Sequence, residues 1–182
     1  MQKSAAARAG CPHPALMVES IRCMSSDGSR RYPERPIIGV GGILFQDERV
    51  LLVKRGRPPL QGTWSLPGGV LEVGELLADG LRREILEETG LEVRLLKLVE
   101  IFERIMRDAS GRPEYHYVLI DYLCEKTGGE LRAGDDVLSV EWVEQDRLPD
   151  YDITSGTADV IRKAWRSRSL RCSRKIQAGP EQ

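Results

Sequence analysis

The stretch PGGVLEVGELLADGLRREILEETGL, residues 67–91, decides the reading of this chain. From Glu75 to Thr89 the apolar residues Leu77, Leu81 and Ile85 recur every four positions, as on one face of a helix, and Gly90 supplies a stop signal. Each helical residue turns by about 100°, so Glu84, Glu87 and Glu88 fall at roughly 0°, 300° and 40°, within one face. Like charges at these spacings repel, and a helix gains no stability from gathering them. Hard divalent cations want several carboxylate oxygens, and Mg²⁺ in particular is commonly shared between carboxylates and substrate phosphates. The three glutamates are therefore expected to hold a metal ion. Arg83 sits beside Glu84 and four residues before Glu87, where it can orient the carboxylates and offset their repulsion. Pro67-Gly68-Gly69 is a tight turn without side chains at its two glycines, so its backbone can approach a metal or a phosphate closely.

Working outward, Ile37 to Phe45 and Arg49 to Val53 flank the turn Gln46-Asp47-Glu48 and read as a hairpin. The loop Gly56 to Gly62 leads into a short strand through Trp64 and Leu66. Downstream, Leu91 to Ile105, Tyr115 to Cys124 and Val137 to Val143 are strand-like, and Asp159 to Trp165 reads as a final helix. Strands around two helices predict a mixed-sheet α/β domain over residues 36–166. Residues 1–35 carry Pro12, Pro14 and Pro33 and read as a tail or irregular extension, in which only Ala15 to Met24 could add a strand. Residues 167–182 are expected to be a basic, flexible C-terminal tail.

The bulk properties limit the function. At 182 residues the chain fits one domain with tails. With 27 basic and 28 acidic residues it lacks the basic excess of a general nucleic-acid binder, so no specific nucleic-acid partner is expected. Cys11, Cys23, Cys124 and Cys172 have no paired spacing and are expected to be free thiols. No apolar stretch approaches the ~20 residues needed to cross a bilayer, so no membrane association and a cytoplasmic location are expected.

Gly69, five residues, Glu75, seven residues and then Arg83-Glu84-Ile85-Leu86-Glu87-Glu88-Thr89-Gly90-Leu91 resembles a complete Nudix box. The resemblance extends from about Pro36 to Trp165, through the basic end of the Val50 to Arg55 strand, the Trp64 to Gly69 approach and Glu141-Trp142-Val143. One departure is Gly80, where relatives more often carry Ala. The family implies a Nudix-type α/β/α sandwich with a mixed β-sheet between helices. It further implies Mg²⁺, for which Mn²⁺ can substitute, held by Glu84, Glu87, Glu88 and the Gly68 carbonyl, with Arg83 in support. The base would be a box glutamate or an acid outside it, with Asp136 in the position some relatives use and Asp135 and Glu114 as substitutes. Arg55 matches a basic position that meets substrate phosphate, and Gly69 lies where backbone can do the same. Trp64 could stack on a base or pack beside the turn. His116 reads as a hydrogen-bonded strand residue.

The implied reaction is hydrolysis of a diphosphate linkage in a nucleoside diphosphate derivative. The framework looks most like the ADP-ribose pyrophosphatase-like, MutT-like branch, which makes ADP-ribose or a related nucleotide sugar the first choice. A nucleoside triphosphate pyrophosphatase releasing diphosphate is the alternative. A nucleotide-sensing module without turnover is a third reading, although the box is intact. Relatives are often dimers, which leaves a homodimer open.

Overall fold

Four consecutive aliphatic residues, Val50-Leu51-Leu52-Val53, are buried in the strand β2 (Arg49–Arg55). A strand that reads as an unbroken apolar run is covered on both faces, and the layers of the molecule follow from this. The computed structural model describes residues 30–177, with side chains described through Arg168. β1 (Ile37–Gln46) and β2 form the expected hairpin, registered at Phe45↔Val50 and Gln46↔Arg49. β3 (Trp64–Ser65) and β7 (Val137–Glu144) both pair antiparallel with β2. β4 (Gly68–Val70) pairs antiparallel with β1, whose other side runs parallel to β6 (Pro113–Gly129). β5 (Leu91–Arg107) closes the sheet antiparallel to β6. The seven-stranded sheet is thus mixed, as expected.

Period-two alternation sends side chains of each inner strand to opposite cores. Leu44, Leu51 and Cys124 join Leu81 and Ile85 of α1 (Leu77–Thr89) on one face. Ile43, Val50, Leu52 and Leu123 meet Val160, Ile161 and Ala164 of α2 (Ser155–Gln177) on the other. Helix on sheet on helix is the architecture that the resemblance implies.

α1 ends where the sequence says it should. Gly90 takes a left-handed φ of 70° and donates its N–H to the Leu86 carbonyl. The buried Thr89 hydroxyl bonds the Ile85 carbonyl at 2.6 Å. Its start differs: Glu75 lies outside the helix, in a turn where its N–H donates to the Glu72 carbonyl and its carboxylate accepts the Glu72 N–H.

α2 departs further from expectation. It begins at Ser155, where the Thr154 hydroxyl accepts the Thr157 N–H as a cap, and it runs on to Gln177, so most of the expected C-terminal tail is helical. At the other end, residues 30–35 are not a free extension. The Tyr32 N–H donates to the Glu114 carbonyl, its hydroxyl meets Asp108, and Arg31 pairs with Glu114 at 2.8 Å. The possible strand at 15–24 lies outside the described residues. Cys124 is a buried free thiol, pushed up to about 12 by desolvation. Among the described residues no helix is long and apolar enough to cross a membrane.

Candidate active site

A cavity of about 180 Å³ opens where β1, β4 and the first half of β6 face the end of α1. Glu84 and Glu88 line it, together with Gly68, Gly69, Arg55, Trp64 and Asp136. Backbone approach makes the carboxylate end possible. A Cβ built on Gly69 would lie 2.2 Å from the Glu84 carboxyl carbon. The Gly68 N–H donates to Glu88 at 2.8 Å. Gly68 itself has a φ of 146°, and a Cβ there would sit 2.1 Å from the Val40 carbonyl oxygen, so only glycine fits.

Burial raises both carboxyls. Glu88 is pushed up to about 8 by desolvation, with Glu84 and Asp136 adding repulsion and the Gly68 N–H and Arg55 opposing it. Glu84 is raised by burial against the pull of Arg83. Two half-buried carboxyls facing one space suit a hard cation.

Glu87 stands apart. Its side chain is 60% exposed, it does not line the cavity, and it is held at 3.3 Å by Arg83. Among the described residues no three His, Cys, Asp or Glu side chains are gathered closely enough to hold an ion as they stand. Arg83 is the hub of the carboxylate group. It reaches Glu84 at 2.8 Å and Glu75 at 2.9 Å, and donates to the Val70 carbonyl. The ion pair holds Glu75 down to about 2.

The remaining expected residues are distributed as follows. Asp136 enters the cavity rim and pairs with Arg57 at 2.5 Å, whereas its substitutes Asp135 and Glu114 do not line the cavity. Arg55 is half-buried and donates to the Pro59 carbonyl. Trp64 lines the cavity and packs edge-on against Tyr151 at 5.1 Å. His116 is on β6 as expected, but its buried Nε2 has no hydrogen-bond partner among the described residues.

Half of the cavity was not read from the sequence. Arg30, Phe102, Arg104, Met106, Tyr117, Leu119, Asp121, Thr154 and Thr157 also line it. Alternation in β5 and β6 was visible, but the register that pairs Phe102 with Leu119 and Arg104 with Tyr117 is a long-range property.

The NUDIX domain model matches residues 35–164, and the chain belongs to the Nudix hydrolase family, whose members generally use divalent metal cations. It is similar to an ADP-ribose pyrophosphatase of Methanocaldococcus jannaschii, 38% identical over 63% of this chain and 65% of the relative. It is also similar to a MutT-like protein of Streptomyces ambofaciens, 30% identical over 69% of this chain and 75% of that protein. The chain therefore spans just under two thirds of the archaeal relative's length. Among solved structures, a MutT NUDIX hydrolase from Burkholderia pseudomallei superposes with a TM-score of 0.63 at 32% identity, over 71% of this chain and 98% of that one.

Proposed function

We propose that this protein hydrolyses a diphosphate linkage in a nucleoside diphosphate derivative, with ADP-ribose or a related nucleotide sugar as first substrate, in a Mg²⁺-dependent reaction. The observation that carries this reading is one cavity lined both by the carboxyls of Glu84 and Glu88 beside the Gly68-Gly69 backbone and by the apolar side chains of Phe102 and Leu119. Arg30, Arg55, Arg57 and Arg104 also line the cavity. Such a cavity suits a charged diphosphate with a planar base at one end.

In this proposal Glu84, Glu88 and the Gly68 carbonyl, with Glu87 beside them, would hold the cation, which when bound would supply charge neutralisation for the phosphoryl oxygens and a more acidic water. Arg83 fixes Glu84 and Glu87 in place. Arg55 and Arg30 bind phosphate oxygens that lie beyond the carboxylates. Asp136, at the rim, accepts the water's proton, and Arg57 positions its carboxylate. Water adds to one phosphorus, the bridging P–O bond breaks, and two phosphate monoesters leave.

The archaeal relative supports this substrate, and the alternative is a nucleoside triphosphate cut to release diphosphate. Product analysis on a nucleotide panel with Mg²⁺ or Mn²⁺ separates the two. AMP with ribose 5-phosphate is the expected result, and inorganic diphosphate points to the second. Thermal stabilisation by nucleotides without any hydrolysis would mark a sensor and overturn the proposal.

A further inference from the structure

Asp121 is the least explained group in the cavity. It lies in β6 opposite Gly41 of β1, lines the cavity, and exposes only 6% of its surface. Among the described residues its carboxylate has no hydrogen-bond or ion-pair partner. The nearby cation, Arg104, donates instead to the Thr154 hydroxyl at 2.8 Å, and the cross-strand neighbour Glu100 is occupied by Lys163. A Cβ on Gly41 would meet the Asp121 Oδ1 at 2.2 Å, so the bare glycine makes room for this carboxylate, which lines the cavity. A buried carboxylate without donors is costly, and such groups persist in native proteins where something else completes them.

Its surroundings define what that is. Phe102 and Leu119 are cross-strand partners, Arg104 and Tyr117 follow one step along, and all four side chains face the cavity with Asp121. A flat apolar floor beside a lone acceptor fits a planar heterocycle that carries an N–H donor on its edge. Burial holds the Asp121 carboxyl up to about 6, with Arg104 pulling it down and Glu100 pushing it up, so it is mostly ionised at neutral pH. An ionised carboxylate repels a carbonyl oxygen and a phosphate alike, which directs the phosphates to the arginines elsewhere in the cavity.

We propose that Asp121 accepts a hydrogen bond from the amino group of a purine lying on the Phe102–Leu119 floor, so that the cavity selects amino-bearing purines over their oxo counterparts. This rests on the nucleotide reading of the cavity and adds the base specificity to it. Ribose hydroxyls are competing donors that stay constant across a series of monophosphates, and the ring N1–H of a 6-oxopurine is a further one that adenine lacks.

Calorimetric titration of the full chain with AMP, IMP and purine riboside 5′-monophosphate tests the assignment, because IMP offers only its ring N1–H on that edge and the purine riboside offers no base donor at all. AMP is expected to bind wild type at least ~10-fold more tightly than either, the size of one hydrogen bond to a charged group. In Asp121→Asn, whose amide can meet either an amino or an oxo group, the ratio is expected to fall to within about threefold, and Asp121→Ala provides a second variant with the same expectation. Equal binding of all three ligands by wild type, or a preference that survives in both variants, overturns the proposal. Hydrolysis of ADP-ribose is followed in parallel. A base preference that vanishes at Asp121 without any hydrolysis leaves this inference standing and removes the catalytic reading, whereas hydrolysis with no base preference does the reverse.

Discussion

Glu84 and Glu88 differ from Glu87 in their surroundings, although all three share one helix face. The first two are inside the cavity and the third is bonded to Arg83 at its edge. Removing one charge from the inner pair is expected to lower turnover on the order of 10²-fold or more, because a ligand to a cation is worth several kcal/mol of transition-state stabilisation. Glu84→Gln, Glu87→Gln and Glu88→Gln are each expected to show this loss while still unfolding cooperatively in urea. Near-normal turnover in Glu87→Gln alone would reduce the site to two carboxylates. The adjoining glycines separate chemistry from stability. In Gly69→Ala the new Cβ meets the flexible end of Glu84, so activity is expected to fall while the fold holds. Gly68→Ala instead meets the Val40 carbonyl from a φ of 146° and is expected to destabilise by roughly 2 kcal/mol or more in the same denaturation assay.

At the scale of elements, α1 was legible because its stripe, its charges and its stop signal all lie within one 25-residue stretch. Gly80 shows the limit of that reading. The sequence marks it as a helix defect of about 1 kcal/mol relative to Ala, yet a Cβ there would lie 2.8 Å from both the Glu75 carboxylate and Leu71. The glycine makes room for the carboxylate that Arg83 grips. α2 was legible only where Val160, Ile161 and Ala164 touch the sheet. Beyond Trp165 the run is too polar to show an apolar stripe, and the helix there was mistaken for a tail. Its contribution can be measured. Ile161 is fully buried between α2 and the sheet, and Ile161→Ala is expected to lower stability by about 3 kcal/mol in urea unfolding. A loss below 1 kcal/mol would show that α2 is not part of the cooperative core. The part of the cavity lined by β5 and β6 is hidden for a different reason. Phe102, Arg104, Tyr117 and Asp121 acquire a common face only through the β5–β6 pairing and the packing of β1, neither of which is local.

For the whole molecule, the buried carboxyls set how stability responds to pH. Glu88 titrates near 4.5 when unfolded and at about 8 when folded, and Asp121 moves from 3.8 to about 6. Both folded values are raised, so between these limits the native state holds more protons than the unfolded state and stability falls as pH rises. The stabilisation is full below the unfolded values and is lost as pH passes through about 6 for Asp121 and about 8 for Glu88. Glu75 acts in the opposite sense, but its folded value of about 2 confines its effect to acid, where stability falls as pH drops below 4.5. The metal-free protein is therefore expected to melt at a lower temperature at pH 8 than at pH 5.5. Glu88→Gln is expected to flatten this slope because its amide cannot ionise. A divalent cation inverts the relation, since binding requires the deprotonated carboxylates and releases their protons. The rise in melting temperature on adding Mg²⁺ is thus expected to be larger at pH 8 than at pH 5.5, and to shrink in Glu88→Gln. A Mg²⁺ shift that is independent of pH, or undiminished in that variant, would place the ion elsewhere on the molecule.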